Sequence, residues 1–249
     1  MPARDTWKDQ RGEMAAASTL RRDAWWLEPL LVVLGLGAFV VYTTWAALQG
    51  SHYEYKNYLS PFYSPLFKPS WWPLSPAILI LWAPAGFRVT CYYYRKAYYR
   101  SFWWAPPACA VRDARARYTG ETQFPLILQN LHRYFFYAAT IVLIFLWYDA
   151  VYGFIFDGRF GIGLGSVILL ANVALLTLYS LSCHSCRHLC GGNLDCFSPN
   201  PLRYKVWKVV SALNESHMLW AWISLMSVAL ADLYVRLLAR GILSDLRFL

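Results

Sequence analysis

Thiol and imidazole groups crowd into one stretch of this chain, Ser180 to Ser198, at the end of an apolar run. It holds four of the six cysteines (Cys183, Cys186, Cys190, Cys196) and two of the five histidines (His184, His188). Soft sulfur and nitrogen donors at such density are a metal-site composition. On a helix turning roughly 100° per residue, Cys183, His184 and His188 share an arc of roughly 140°, with Cys186 on the other flank of Cys183. One helix would then offer mixed ligands to a single centre, with neighbours supplying the rest.

Three metal chemistries suit these donors. Structural zinc takes Cys and His in a closed tetrahedron, but the spacing lacks two separated Cys-x-x-Cys knuckles. Haem b between two histidines from different helices would suit His132, His217 or His184, yet leaves the thiols without a role. A Rieske-type 2Fe-2S centre uses both donor types, and its imidazoles raise the reduction potential toward that of a quinone acceptor. Composition leaves the Rieske-type and haem readings level, with zinc behind. Each residue also has a plainer reading: a histidine near a helix end can simply bond a neighbouring helix, and Cys109, Cys190 or Cys196 alone reads as packing.

The elements that must position these groups are transmembrane. With 58% hydrophobic, 18% aromatic and 15% charged residues, the chain is an integral membrane protein. Its net charge of +9 is gathered in particular loops, so it reads as a topology signal with no nucleic-acid partner. An all-α, polytopic bundle of about five spans is expected over residues 25–249: Leu27 to Leu48, Leu74 to about Tyr94 with a kink at Pro84, Pro125 to about Tyr152, a fourth span ending at the Cys/His stretch, and about Val209 to Leu238. The aromatic, proline-bearing loop from Gly50 to Pro73 is expected to lie against the membrane surface. Residues 1–24 lack a signal-peptide core and read as a retained tail.

Basic residues in that tail and in the loops near 95–124 (Arg112, Arg115, Arg117 among them) and 187–208 place these segments on the cytoplasmic side, with the amino terminus. Disulfides are the minor reading on that reducing face. Arg88, His132, Arg133, His184 and His217 are ionisable groups at membrane depth and so candidates for function.

Several segments resemble the membrane-anchor subunit of succinate dehydrogenase in its five-helical actinobacterial form. They are Trp-Leu-Glu-Pro-Leu (26–30), Leu-Ser-Pro-Phe-Tyr-Ser-Pro (59–65), Phe-Arg-Val-Thr-Cys-Tyr-Tyr-Tyr-Arg-Lys-Ala-Tyr-Tyr-Arg (87–100), Pro-Pro-Ala-Cys-Ala-Val (106–111), Phe-Pro-Leu-Ile-Leu-Gln-Asn-Leu-His-Arg-Tyr-Phe (124–135), Ser-Cys-His-Ser-Cys-Arg-His (182–188) and Ser-Asp-Leu-Arg (244–247). The resemblance spans nearly the whole chain. It implies an iron–sulfur subunit on the cytoplasmic face, a flavoprotein subunit beyond it, quinone (menaquinone) as acceptor, and the plasma membrane of a bacterium as location, with room for a higher oligomer.

Di-haem relatives take axial histidines from their first, second, fourth and fifth spans. Here the first span has no histidine and the second carries Cys91, so the resemblance favours an embedded Rieske-like cluster over haem. It implies His184 and His188 as the imidazole pair and Cys91 with Cys183 or Cys186 as the thiolates, His132 and His217 being the reserve imidazoles. Arg88, Tyr93, His132 and His217 are the groups implied at quinone. Two rivals stand beside this reading: a tether with idle thiols, and a thiol–disulfide oxidoreductase using Cys183 and Cys186, which the basic loops place on the wrong face.

Overall fold

The computed structural model describes residues 19, 21–112, 122–124, 126–192 and 194–249. Most of the expected tail, together with Arg115, Arg117 and Pro125, lies outside the described residues. Among the described residues the fold is helical, with eight α-helices: α1 Leu27–Gln49, α2 Ile78–Val89, α3 Tyr92–Phe102, α4 His132–Tyr152, α5 Leu164–Leu181, α6 His184–Arg187, α7 Pro201–Glu215 and α8 His217–Ala239. Two hairpins, β1 Glu54–Tyr55 with β2 Tyr58–Leu59 and β3 Ile155–Phe156 with β4 Arg159–Phe160, turn the chain at one end of the bundle.

Among the described residues four helical segments are long and apolar enough to cross a bilayer: α1, α4 with the 3-10 turn Leu126–Leu131 before it, α5 and α8. The second expected span is different. α2 has 12 residues, about 18 Å at 1.5 Å each, against a hydrocarbon core of about 30 Å. It also does not run on to Tyr94, because the chain straightens at Cys91 before α3 begins.

The last span starts later than its apolar composition suggests. The backbone breaks at Ser216, and α7, starting on Pro201, is a separate helix over what the basic composition presents as a connection. Beyond α5 the expected single helix is likewise interrupted: Cys183 is extended, α6 lasts one turn, and a π-turn from His188 to Gly192 follows. That break removes the shared helical arc on which Cys183, His184 and His188 would have met.

Packing is built on α5 against α8, α2 against α4, and α4 against α5. Gly86 lets α2 approach α4, since a Cβ there would sit 2.3 Å from the Phe135 ring. α1 ends on Gly50 in the left-handed region (φ +61°), where a side chain would be strained. The loop that follows does not lie wholly on the membrane surface. Tyr58, Phe62 and Tyr63 are buried against the bundle, while Phe67, Trp71 and Leu74 are exposed.

Candidate functional site

The two buried thiols sit at matching places. Cys91 is the N-cap of α3 (φ −66°, ψ 132°) and Cys183 the N-cap of α6 (φ −67°, ψ 144°), each in extended backbone between two helices. An N-cap faces the unpaired N–H groups of a first turn, an environment that favours negative charge on sulfur. The Ser185 N–H donates to Cys183 Sγ at 3.4 Å. Burial pushes the Cys183 thiol up to about 12, so it is a neutral thiol unless a cation displaces its proton.

Two histidines from the spans α4 and α8 join these breaks. His132 Nε2 lies 3.1 Å from Cys183 Sγ, and its Nδ1 lies 2.8 Å from Thr90 Oγ1, the residue before Cys91. His217 does the reverse: Nε2 is 3.4 Å from Cys91 Sγ and Nδ1 is 2.6 Å from Ser182 Oγ, the residue before Cys183. Each ring therefore reaches across from one break to the other, so both thiols and both imidazoles share one buried site.

Thr90 Oγ1 also lies 2.7 Å from Gly86 O, and Ser182 Oγ lies 3.0 Å from Tyr179 O. With its proton on that carbonyl, each hydroxyl oxygen accepts from a ring Nδ1–H, the tautomer that turns the Nε2 lone pair toward sulfur. A hydrogen-bonded Nδ1–H with a free Nε2 is how proteins prepare imidazole for a metal.

Aromatic rings wall the site. Phe87 stacks on His132 with centroids 5.0 Å apart, Tyr179 stacks on His217 at 5.2 Å, and Tyr93 meets His217 edge-on at 5.2 Å. Phe87 and Tyr179 also face a cavity of about 460 Å³ among α1, α2, α4, α5 and α8, lined by Phe39, Leu81, Arg88 and Ser180 as well. The Arg88 guanidinium lies 4.6 Å over the Tyr179 ring and bonds to Ser224 Oγ at 3.1 Å, to Ala221 O at 3.3 Å and to the Tyr94 hydroxyl. The cavity is thus an apolar slot with a cation at one end, sharing a wall with the Cys–His site.

Of the donors anticipated from sequence, Cys91 and Cys183 come together. His184 is exposed, its ring parallel to Tyr93 at 6.3 Å. His188 turns to Arg133, whose Nη2 lies 2.9 Å from His188 Nδ1. Cys186 is buried beside Cys190. Cys183 is in extended backbone where α5 ends, so these three residues no longer continue the helical face of α5.

Of the groups anticipated at quinone, Arg88 lines the cavity, whereas His132 and His217 are at the thiols and Tyr93 stands beside His217. Among the described residues no three His, Cys, Asp or Glu side chains converge as a preformed metal cage. The arrangement is two Cys–His pairs, cross-linked through Thr90 and Ser182. The dipeptides Thr90-Cys91 and Ser182-Cys183, each closing an apolar helix, were the sequence signal of that symmetry.

Comparison with known proteins fits this architecture. The family described as actinobacterial succinate dehydrogenase subunit SdhC matches residues 27–241. A chain in the structure of the Mycobacterium smegmatis Sdh1 complex in the apo form is 50% identical, with a TM-score of 0.84, over 96% of this chain and 97% of that one. No curated protein matches. With the family match running almost from the first span to the last, this chain belongs to the actinobacterial SdhC family of succinate dehydrogenase membrane subunits.

Proposed function

We propose that this subunit holds a Rieske-type 2Fe-2S cluster through Cys91, Cys183, His132 and His217 and serves quinone reduction in the succinate dehydrogenase complex. The observation that carries the reading is that the Nε2 atoms of His132 and His217 face the two buried thiols while their Nδ1 atoms contact Thr90 and Ser182. His132 and His217 replace His184 and His188 as the imidazoles. The donor set fits such a centre in kind: two buried thiols, the buried His217 ring and the half-buried His132 ring, with hydrogen bonds orienting both rings. When bound, a 2Fe-2S centre supplies one-electron transfer.

The chain's own residues do the rest. Phe87 and Tyr179 exclude water between the donors and the 460 Å³ cavity, a volume within the usual range for small-molecule sites. Arg88 at its end offers N–H donors to a quinone carbonyl, and the apolar slot takes the isoprenoid tail. Menaquinone is the acceptor in this reading. The basic end, with Arg95, Lys96, Arg133, Arg187 and Lys205, is assigned to the cytoplasmic face of a bacterial plasma membrane, where the iron–sulfur subunit docks and the flavoprotein lies beyond it.

The test is iron, acid-labile sulfide and pyridine haemochrome on the assembled complex, with variants purified alongside their partners. Labile sulfide contributed by this chain, with an electron paramagnetic resonance signal of low average g, is expected in the wild type and in His184→Ala. Both are lost in His132→Ala, His217→Ala and Cys183→Ser. Haem in place of this sulfide, or no iron in the subunit at all, overturns the proposal and leaves a haem-bearing or purely structural anchor.

A further inference from the structure

Tyr179, near the end of α5, carries a hydroxyl that the fold encloses without giving it a bond. The residue is 1% exposed, and its Oη is sealed from solvent with no hydrogen bond of ordinary geometry among the described residues. The ring below it is held firmly. It lies nearly parallel to His217, with 11° between the planes, meets Phe87 at 5.2 Å and Tyr94 edge-on at 6.0 Å, and carries the Arg88 guanidinium on its face. The hydroxyl therefore has no freedom to swing toward water, and a buried donor so placed costs free energy until an acceptor meets it.

The acceptor stands beside it. The Cys91 sulfur faces the N–H groups of Tyr94 and Tyr93 in the first turn of α3 and, from another span, the Tyr179 hydroxyl. A protonated thiol accepts weakly, which is why no good bond forms in this state. A sulfur that has given its proton up to a cation accepts strongly. The donors to Cys183 are local, the Ser185 N–H first, and the neighbouring Tyr94 hydroxyl is already spent on Ala221 O.

We infer that Tyr179 is a positioning residue of the electron-carrying centre: its hydroxyl donates to the Cys91 sulfur once that sulfur is metal-bound, and raises the reduction potential of the centre. Hydrogen bonds to ligating sulfurs are among the levers that set such potentials. The reduced form carries one more electron on the same sulfurs, so it gains more from the donor than the oxidised form does. The inference rests on the Rieske-type reading above and adds to it a residue that holds no metal.

The experiment compares wild type with Tyr179→Phe in the whole complex, because phenylalanine keeps the stack on His217 and removes one oxygen. Labile sulfide and the low-g signal are expected in both. A redox titration followed by that signal should show reduction of the variant disfavoured about tenfold, the size of one ordinary hydrogen bond, which is a potential about 59 mV lower for a one-electron couple. Resonance Raman bands of iron–sulfur(Cys) stretching should move in D2O in the wild type and move less in the variant. An unchanged potential with a raised KM for quinone overturns the inference and gives the hydroxyl to the occupant of the 460 Å³ cavity, whose wall Tyr179 also forms. An unchanged potential with an unchanged KM overturns it as well, and so does loss of labile sulfide from Tyr179→Phe, since the donors themselves are untouched. Absence of the low-g signal from the wild type overturns the Rieske-type reading itself.

Discussion

The two ends of the bundle handle buried polar groups in opposite ways. At the end away from the thiols, Asp232 and Arg236 on α8 are both almost fully buried and form an ion pair at 2.7 Å. Further protein groups bond to both ions. Asp232 accepts from Tyr42 Oη at 2.6 Å and from the Ser60 hydroxyl, and Arg236 donates to Ser51 O at 3.0 Å and Ala46 O at 2.8 Å. Nearby, the Asp245 carboxylate takes Tyr58 Oη, Tyr234 Oη and the Gly165 N–H at the start of α5. Charge there fastens α1, the 50–64 loop, α8 and the carboxyl-terminal strap into one unit.

At the other end the buried groups are neutral sulfur and nitrogen in long contacts, set at helix breaks and oriented by hydroxyls. The comparison teaches that a hydrogen-bonded ion network ties the chain together at one end, while the other end brings sulfur and nitrogen donors toward one another from four segments. Cys91, Cys183 and His217 are as buried as Asp232 and Arg236; the valence left to the side chains is what differs.

Each half of that contrast can be broken. The largest effect is expected at the saturated end: Asp232→Ala strands a buried guanidinium and is expected to lower stability by about 3–5 kcal/mol, read as thermal unfolding of the assembled complex. A melting temperature equal to wild type would mean that the ion pair fastens nothing. Asp245→Ala leaves three donors unmet and should cost about 2 kcal/mol, with faster proteolysis of the 241–249 strap as its local sign. If the strap stays protected, the carboxylate is not what holds it.

Smaller effects sharpen the thiol end. His184→Ala is expected to leave iron and labile sulfide at the wild-type level, since its ring rests on Tyr93; a loss as large as that of His217→Ala would return His184 to the ligand set. Alkylation separates the cysteines without relying on metal. Cys196 is exposed, and hydrogen bonds from Ser198 pull its thiol below the ordinary range. Its folded thiolate therefore persists to lower pH than in the unfolded chain, so labelling should reach half its maximal rate at lower pH in the complex than in urea. Identical profiles would dismiss the Ser198 contact, and labelling of Cys91 or Cys183 before unfolding would contradict their burial.

Much of the fold was legible because its cause is local. Apolar runs of bilayer length, such as Leu27–Gln49 and His217–Ala239, follow from composition alone, as does the helical class. Helix ends were less legible. Ser216 and Cys183 carry no proline or glycine, so nothing in the residue itself announces the break, and α2 is short because the chain straightens at Cys91. Cys91 and Cys183 stood out in the sequence as ligand-type residues. Their partners stood only as reserve imidazoles, since His132 and His217 are 51 and 126 positions away from the thiols they face.

By itself, then, the sequence determined a helical membrane protein with sulfur and nitrogen donors concentrated toward its basic end, because hydropathy and charge act residue by residue along the chain. Tertiary structure alone decided which imidazoles meet the thiols and which ring nitrogen faces sulfur. Those outcomes depend on four separate helix termini arriving at one depth, with Thr90 and Ser182 turned toward histidines of other spans, and no local propensity encodes such a meeting.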